Sequence, residues 1–125
     1  RQMCIRDRIC SDEAVVDAYN ADPLCQFHFT LNGYAALLAL LNTTYNTKGW
    51  TITQPELPIW FFSGGDDPCR GNDTRFQQAV DRMAELGYQN VNSTLFPRMR
   101  HEILNERNKA VVYAEILETL DAWNC

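Results

Sequence analysis

The run Leu57-Pro58-Ile59-Trp60-Phe61-Phe62-Ser63, closed by Gly64-Gly65, constrains this chain more than any other stretch. It shows no polar alternation, so it reads as a strand covered on both faces, the kind found in parallel sheets with helices above and below. The two glycines supply the turn that ends it. A second strand is expected at residues 90–96, where Val91, Leu95 and Phe96 are the strongly apolar positions. Between the two, Phe76, Val80, Met83 and Ala84 share one helical face in a helix starting near residues 72–74, and Gly87 is positioned to cap it in the left-handed conformation. Strand, crossover helix and strand at this length imply parallel pairing, hence an α/β fold.

Three further helices are expected. Ser11, followed by Asp12 and Glu13, reads as an N-cap with acidic first-turn residues for a short helix at 12–19, which Asp22-Pro23 stops. Leu31, Tyr34, Leu38 and Leu41 recur at helical spacing and predict a helix at 31–42, followed by a polar loop at 43–54. At the C-terminal end, Asn105 is the expected cap of a long helix in which Val112, Ile116, Leu120 and Trp123 form one buried stripe. Two strands do not make a stable sheet, and a strand apolar on both faces wants neighbours on both edges. The expectation is therefore a C-terminal fragment of a larger α/β sheet, with the missing N-terminal half of the same domain as its partner.

Composition narrows the function classes. A net charge of -5 with scattered basic residues argues against nucleic acid or an anionic lipid surface as an electrostatic partner. No apolar run approaches the roughly 20 residues of a membrane span. A cytoplasmic or peripheral-membrane location, with contact to lipid but no transmembrane segment, is the expectation. The five cysteines show no C-x-x-C pair and no repeating spacing, so free, buried thiols are expected rather than a zinc site or disulfide framework. Sequons at Asn42, Asn72 and Asn92 read as chance triplets. The first eight residues, RQMCIRDR, resemble translated adaptor sequence, so Cys4 carries no functional weight.

In doubly wound sheets reactive groups gather beyond the carboxyl ends of the strands. Asp66-Asp67 follows the first strand, and His101 follows the second, 34 residues after Asp67. One loop, one helix and one strand separate them, so adjacent strand tips would bring carboxylate and imidazole together. An aspartate bonded to an imidazole fixes its tautomer and stabilises the imidazolium formed when it takes a serine proton. The plain alternatives are that a lone histidine is structural, that Asp66 or Asp67 caps a turn, and that Trp60, Phe61 and Phe62 are core. His28, between Phe27 and Phe29, reads as a core or pocket-wall histidine. The Asp66-Asp67 pair lacks the further carboxylates and phosphate-cradling glycines of a magnesium site. HEILNE is not H-E-x-x-H, because Asn105 stands at the second ligand position.

The stretch LPIWFFSGGDDP resembles the strand and acid loop of the monoacylglycerol lipase and lysophospholipase group of α/β-hydrolases, which is similar to the serine aminopeptidase S33 proteins. In that group a glycine is followed three positions later by the catalytic Asp, and counting from Gly64 this implies Asp67. RHEILNE resembles the catalytic-histidine loop of the same group, implying His101 as the base. DPLCQFHFT is similar to the stretch by which the cap region returns to the core. The resemblance implies that residues 9–50 are the end of a cap and its returning helix, and 51–125 the last strands and helices of one hydrolase domain. It implies a serine hydrolase of carboxylic esters, with a monoacylglycerol or lysophospholipid as the small-molecule lipid substrate and no cofactor. The sequence departs from the family in having no G-x-S-x-G nucleophile elbow and no oxyanion-hole loop, so these 125 residues alone are expected to be inactive. A peptidase of the same fold and a non-catalytic interaction module are the alternatives.

Overall fold

The computed structural model describes residues 8–124. Helix α1 covers Glu13–Ala21 and α2 Leu31–Tyr45. Strand β1 is Ile59–Gly64, α3 Asp73–Leu86, β2 Val91–Phe96 and α4 Lys109–Trp123. Short 3-10 turns stand at Pro23–Cys25, Pro68–Arg70 and Ile103–Asn105. The order of helices and strands is the expected one. Most of the adaptor-like stretch, with Cys4, lies outside the described residues.

The strands β1 and β2 pair in parallel, from Ile59 opposite Val91 to Gly64 opposite Phe96. Side-chain alternation then sends successive residues of β1 to opposite faces. Phe62 stacks on Phe96 and packs against the buried cluster of Phe96, Met99 and Val112, which Ile103 and Ile116 flank. This face carries α4. Phe61 meets Phe76 of α3 edge-on, with ring centroids 6.5 Å apart. Helices therefore cover both faces, the layering that the unbroken apolar run of β1 required. Across the strand pair, the Trp60 indole donates to Thr94 Oγ1 at 2.9 Å, so the ring is both packing surface and hydrogen-bond donor. A second cluster, Ile9, Cys10 and Val16 with Val15 and Tyr19 against it, ties α1 to the residues preceding it.

Helix α3 follows its sequence signals closely. Asn72 accepts from Arg75 N at 2.8 Å, and Gly87 caps the C-terminus at φ 113°, a conformation in which only glycine is free of strain.

Elsewhere the structure corrects the expectations. The N-cap of α1 is Asp12, which accepts from Ala14 N; Ser11 is drawn away because its N–H and hydroxyl both donate to Glu106. Asn105 does not cap α4. It lies in the 3-10 turn and donates to Glu102 Oε2 at 2.8 Å, while extended backbone at Glu106 delays the helix to Lys109. The buried line of α4 is Val112, Ile116 and Thr119, at i, i+4 and i+7, and Leu120 and Trp123 are exposed. Helix α2 runs three residues further than expected, and in this last turn Thr43 and Thr44 donate their hydroxyls to Ala39 O and Leu40 O, both at 2.9 Å. Of the described cysteines, all free, only Cys10 is buried; Cys25 is half-buried and Cys69 exposed. His28 is exposed as well, since Phe27, Phe29 and Tyr34 pack edge-on against one another at the surface.

Candidate active site

The strand register ends with Gly64 beside Phe96, so the loops that follow leave the sheet side by side. Main-chain bonds then lace them together: Gly65 N donates to Phe96 O at 2.8 Å and Asp66 N to Met99 O at 2.9 Å. Gly64 is needed for this approach. A Cβ there would stand 2.1 Å from Arg100 O and 2.3 Å from Met99 O, and both are backbone atoms that cannot swing aside. The second loop turns back through Arg98, a non-glycine residue held at φ 61°.

Asp67 is the N-cap of the Pro68–Arg70 turn, and its Oδ1 accepts from Cys69 N at 2.8 Å. That bond fixes the carboxylate. Its other oxygen, Oδ2, lies 3.0 Å from His101 Nδ1. The Asp67 side chain is 7% exposed and that of His101 52%, so the acid is shielded and the imidazole reaches solvent. Asp66, the other aspartate of the pair, is exposed. The chain backbone holds His101 from a second side, where His101 N donates to Arg8 O at 3.1 Å and Glu102 N to Ile9 O at 2.8 Å.

Two residues that shape this site, Glu106 of the RHEILNE stretch and Ser11, have roles here that the sequence does not reveal. Glu106 is 2% exposed and accepts from Arg100 N at 2.7 Å through Oε1, and from Ser11 through Oε2. Its partner Ser11 was read only as a helix cap. A buried glutamate in a charged, polar stretch carries no periodicity that would reveal it.

An imidazole whose Nδ1–H donates a hydrogen bond to a carboxylate presents Nε2 as a free lone pair, the state a general base needs. Asp67, Cys69 and His101 also bring a carboxylate oxygen, a sulfur and a ring nitrogen within 4.8 Å of one another. This donor set suits zinc by type. Against that use, both Asp67 oxygens are already engaged. Desolvation and then the neighbouring Asp67 carboxylate push the Cys69 thiol up, which favours the protonated form that does not ligate.

No helix among the described residues is long and apolar enough to cross a membrane. A family profile described as serine aminopeptidase, S33, matches residues 4–108, the stretch that holds both strands, the Asp67 loop and His101. No curated protein matches the chain. With a parallel strand pair, helices on both faces and a match over most of its length, the chain belongs to the serine aminopeptidase S33 family of α/β-hydrolases.

Proposed function

We propose that Asp67 and His101 are the acid and the base of a Ser-Asp-His triad in a hydrolase of carboxylic esters, whose serine comes from polypeptide outside these 125 residues. The observation that carries this reading is the 3.0 Å contact between His101 Nδ1 and a shielded carboxylate at adjacent strand ends. In the reaction, His101 Nε2 takes the serine proton as the hydroxyl attacks the ester carbonyl. Asp67 stabilises the imidazolium, which then protonates the leaving alcohol. Water hydrolyses the acyl-enzyme by the same route in reverse.

Two further observations support a larger catalytic domain. Helix α2 is apolar on all sides and buries none of its residues, and among the described residues β1 pairs with a single neighbour. On this reading, residues 9–50 are the end of a cap and 51–125 the closing strands and helices of the domain. The substrate class, a monoacylglycerol or lysophospholipid, rests on the likeness of LPIWFFSGGDDP and RHEILNE to the lipase group. The family description favours a second reading, a peptidase, since the same triad cleaves esters and amides.

The test is complementation with an upstream half carrying a G-x-S-x-G segment. The joined protein is expected to cleave a p-nitrophenyl ester, and His101→Ala to abolish that cleavage. Unchanged hydrolysis in the variant removes His101 as the base. Faster turnover of an aminoacyl p-nitroanilide than of the ester selects the peptidase.

A further inference from the structure

Glu106 is the most deeply buried carboxylate among the described residues, and it makes no ion pair within that set. What surrounds it is a ring of donors. Oε1 accepts the main-chain N–H of Arg100, and Oε2 accepts both the N–H and the hydroxyl of Ser11. Arg100 directly precedes His101, while Ser11 closes the short stretch whose Arg8 and Ile9 carbonyls accept from His101 N and Glu102 N. The Arg100 guanidinium reaches the same stretch through Cys10 O at 3.2 Å. Residues 9–11 and 100–102 thus lie together as two short lengths of irregular backbone, neither of them helix or strand. Glu106 is the side chain that fastens one to the other.

We propose that Glu106 is a positioning residue. Its carboxylate fixes the peptide on the N-terminal side of His101, and so holds Nδ1 within reach of Asp67. Irregular backbone has no ladder to fix its path, so a buried acceptor with three converging donors takes over that task. Each donor is an N–H or O–H that loses water on burial, and a carboxylate serves all three where an amide, with only one acceptor atom, serves fewer. The role rests on the assignment of His101 as base, but its test does not require turnover.

The readout is the tautomer of the neutral His101 imidazole, followed by ring ¹⁵N shifts in the labelled 125-residue chain, together with exchange of the Arg100 amide. The parent chain is expected to hold the proton on Nδ1, and Asp67→Ala marks the signal of a lost partner. Glu106→Gln keeps the acceptor for Arg100 N and is expected to retain the Nδ1–H form. Glu106→Asp, one methylene shorter, is expected to shift the ring toward Nε2–H and to speed Arg100 exchange about tenfold, the loss of one buried hydrogen bond. Ser11→Ala leaves Glu106 in place and shows a smaller change in the same direction; it decides the matter if the Asp variant does not fold. A folded Asp variant with fast exchange and the parent tautomer overturns the proposal, as does an equal loss in the Gln variant. Cleavage by a joined His101→Ala enzyme would instead remove the base assignment, leaving the tautomer result standing.

Discussion

In the loop at residues 96–106 nearly every turn of backbone is held by a named partner, whereas helix α2 is held by little beyond its own hydrogen bonds. The loop contains Phe96, Met99 and Glu106, all buried, and its main chain bonds to β1's exit loop and to residues 8–9. Helix α2 is richer in apolar side chains, yet Leu31, Leu38 and Leu40 are each more than half exposed. Its capping is sound, with Thr30 accepting from Gly33 N at 3.1 Å. Apolar content therefore does not decide which region is ordered around the site; satisfied polar groups do. A helix apolar on every side is composed for burial on every side, and that cover is not supplied by the described residues.

The contrast is sharpest at the Asp67 carboxylate. Asp67→Asn in the joined enzyme keeps the shape but loses the preference for the Nδ1–H tautomer, and kcat is expected to fall by about 10⁴. A fall of less than tenfold, measured on a p-nitrophenyl ester, would put the orienting acid elsewhere. Next in size is Gly64→Ala. The added methyl meets the Met99 and Arg100 carbonyls, and the two loops must part, at a cost of about 3 kcal/mol by urea denaturation. The same variant should lose the His101–Asp67 contact, visible as the Nε2–H tautomer. Val112→Ala, in the fully buried centre of the α4 contact, is expected to cost about 2 kcal/mol. Because the His101 loop is held by main-chain and carboxylate hydrogen bonds as well as by this contact, the His101 tautomer should hold. A tautomer shift there would mean that packing, not hydrogen bonding, sets the site.

Much of this was legible in the sequence because the signals were local or periodic. The unbroken apolar run of β1 and the amphipathic face of α3 with Asn72 and Gly87 at its ends are short patterns, and the 34 residues from Asp67 to His101 are one loop, one helix and one strand. Four things were not legible. Ser11 and Asn105 are good caps by type, but each is taken by a carboxylate, Glu106 in one case and Glu102 in the other. Competition between partners 95 residues apart leaves no local mark. The exposure of His28 and of the second half of the α4 stripe was hidden for a different reason. Sequence pattern reports what a residue is suited to touch, and it is silent on whether the touching surface belongs to the same stretch of chain.

That distinction yields the smallest expected effect and the most direct break of the comparison. Leu38→Gln in α2 exchanges an exposed apolar side chain for a polar one of similar size, at a helix position where glutamine forms helix about as well as leucine. In the 125-residue chain the change should move stability by less than about 0.5 kcal/mol, as for surface substitutions away from specific contacts. It should also lower binding of an apolar dye, because it interrupts an exposed apolar surface. In the joined protein the same substitution should be costly, since a side chain that becomes buried there would carry an unpaired amide into an apolar contact. Equal, small effects in both settings would mean that α2 stays uncovered in the joined protein as well. The apolar face would then need an occupant other than the rest of the hydrolase domain.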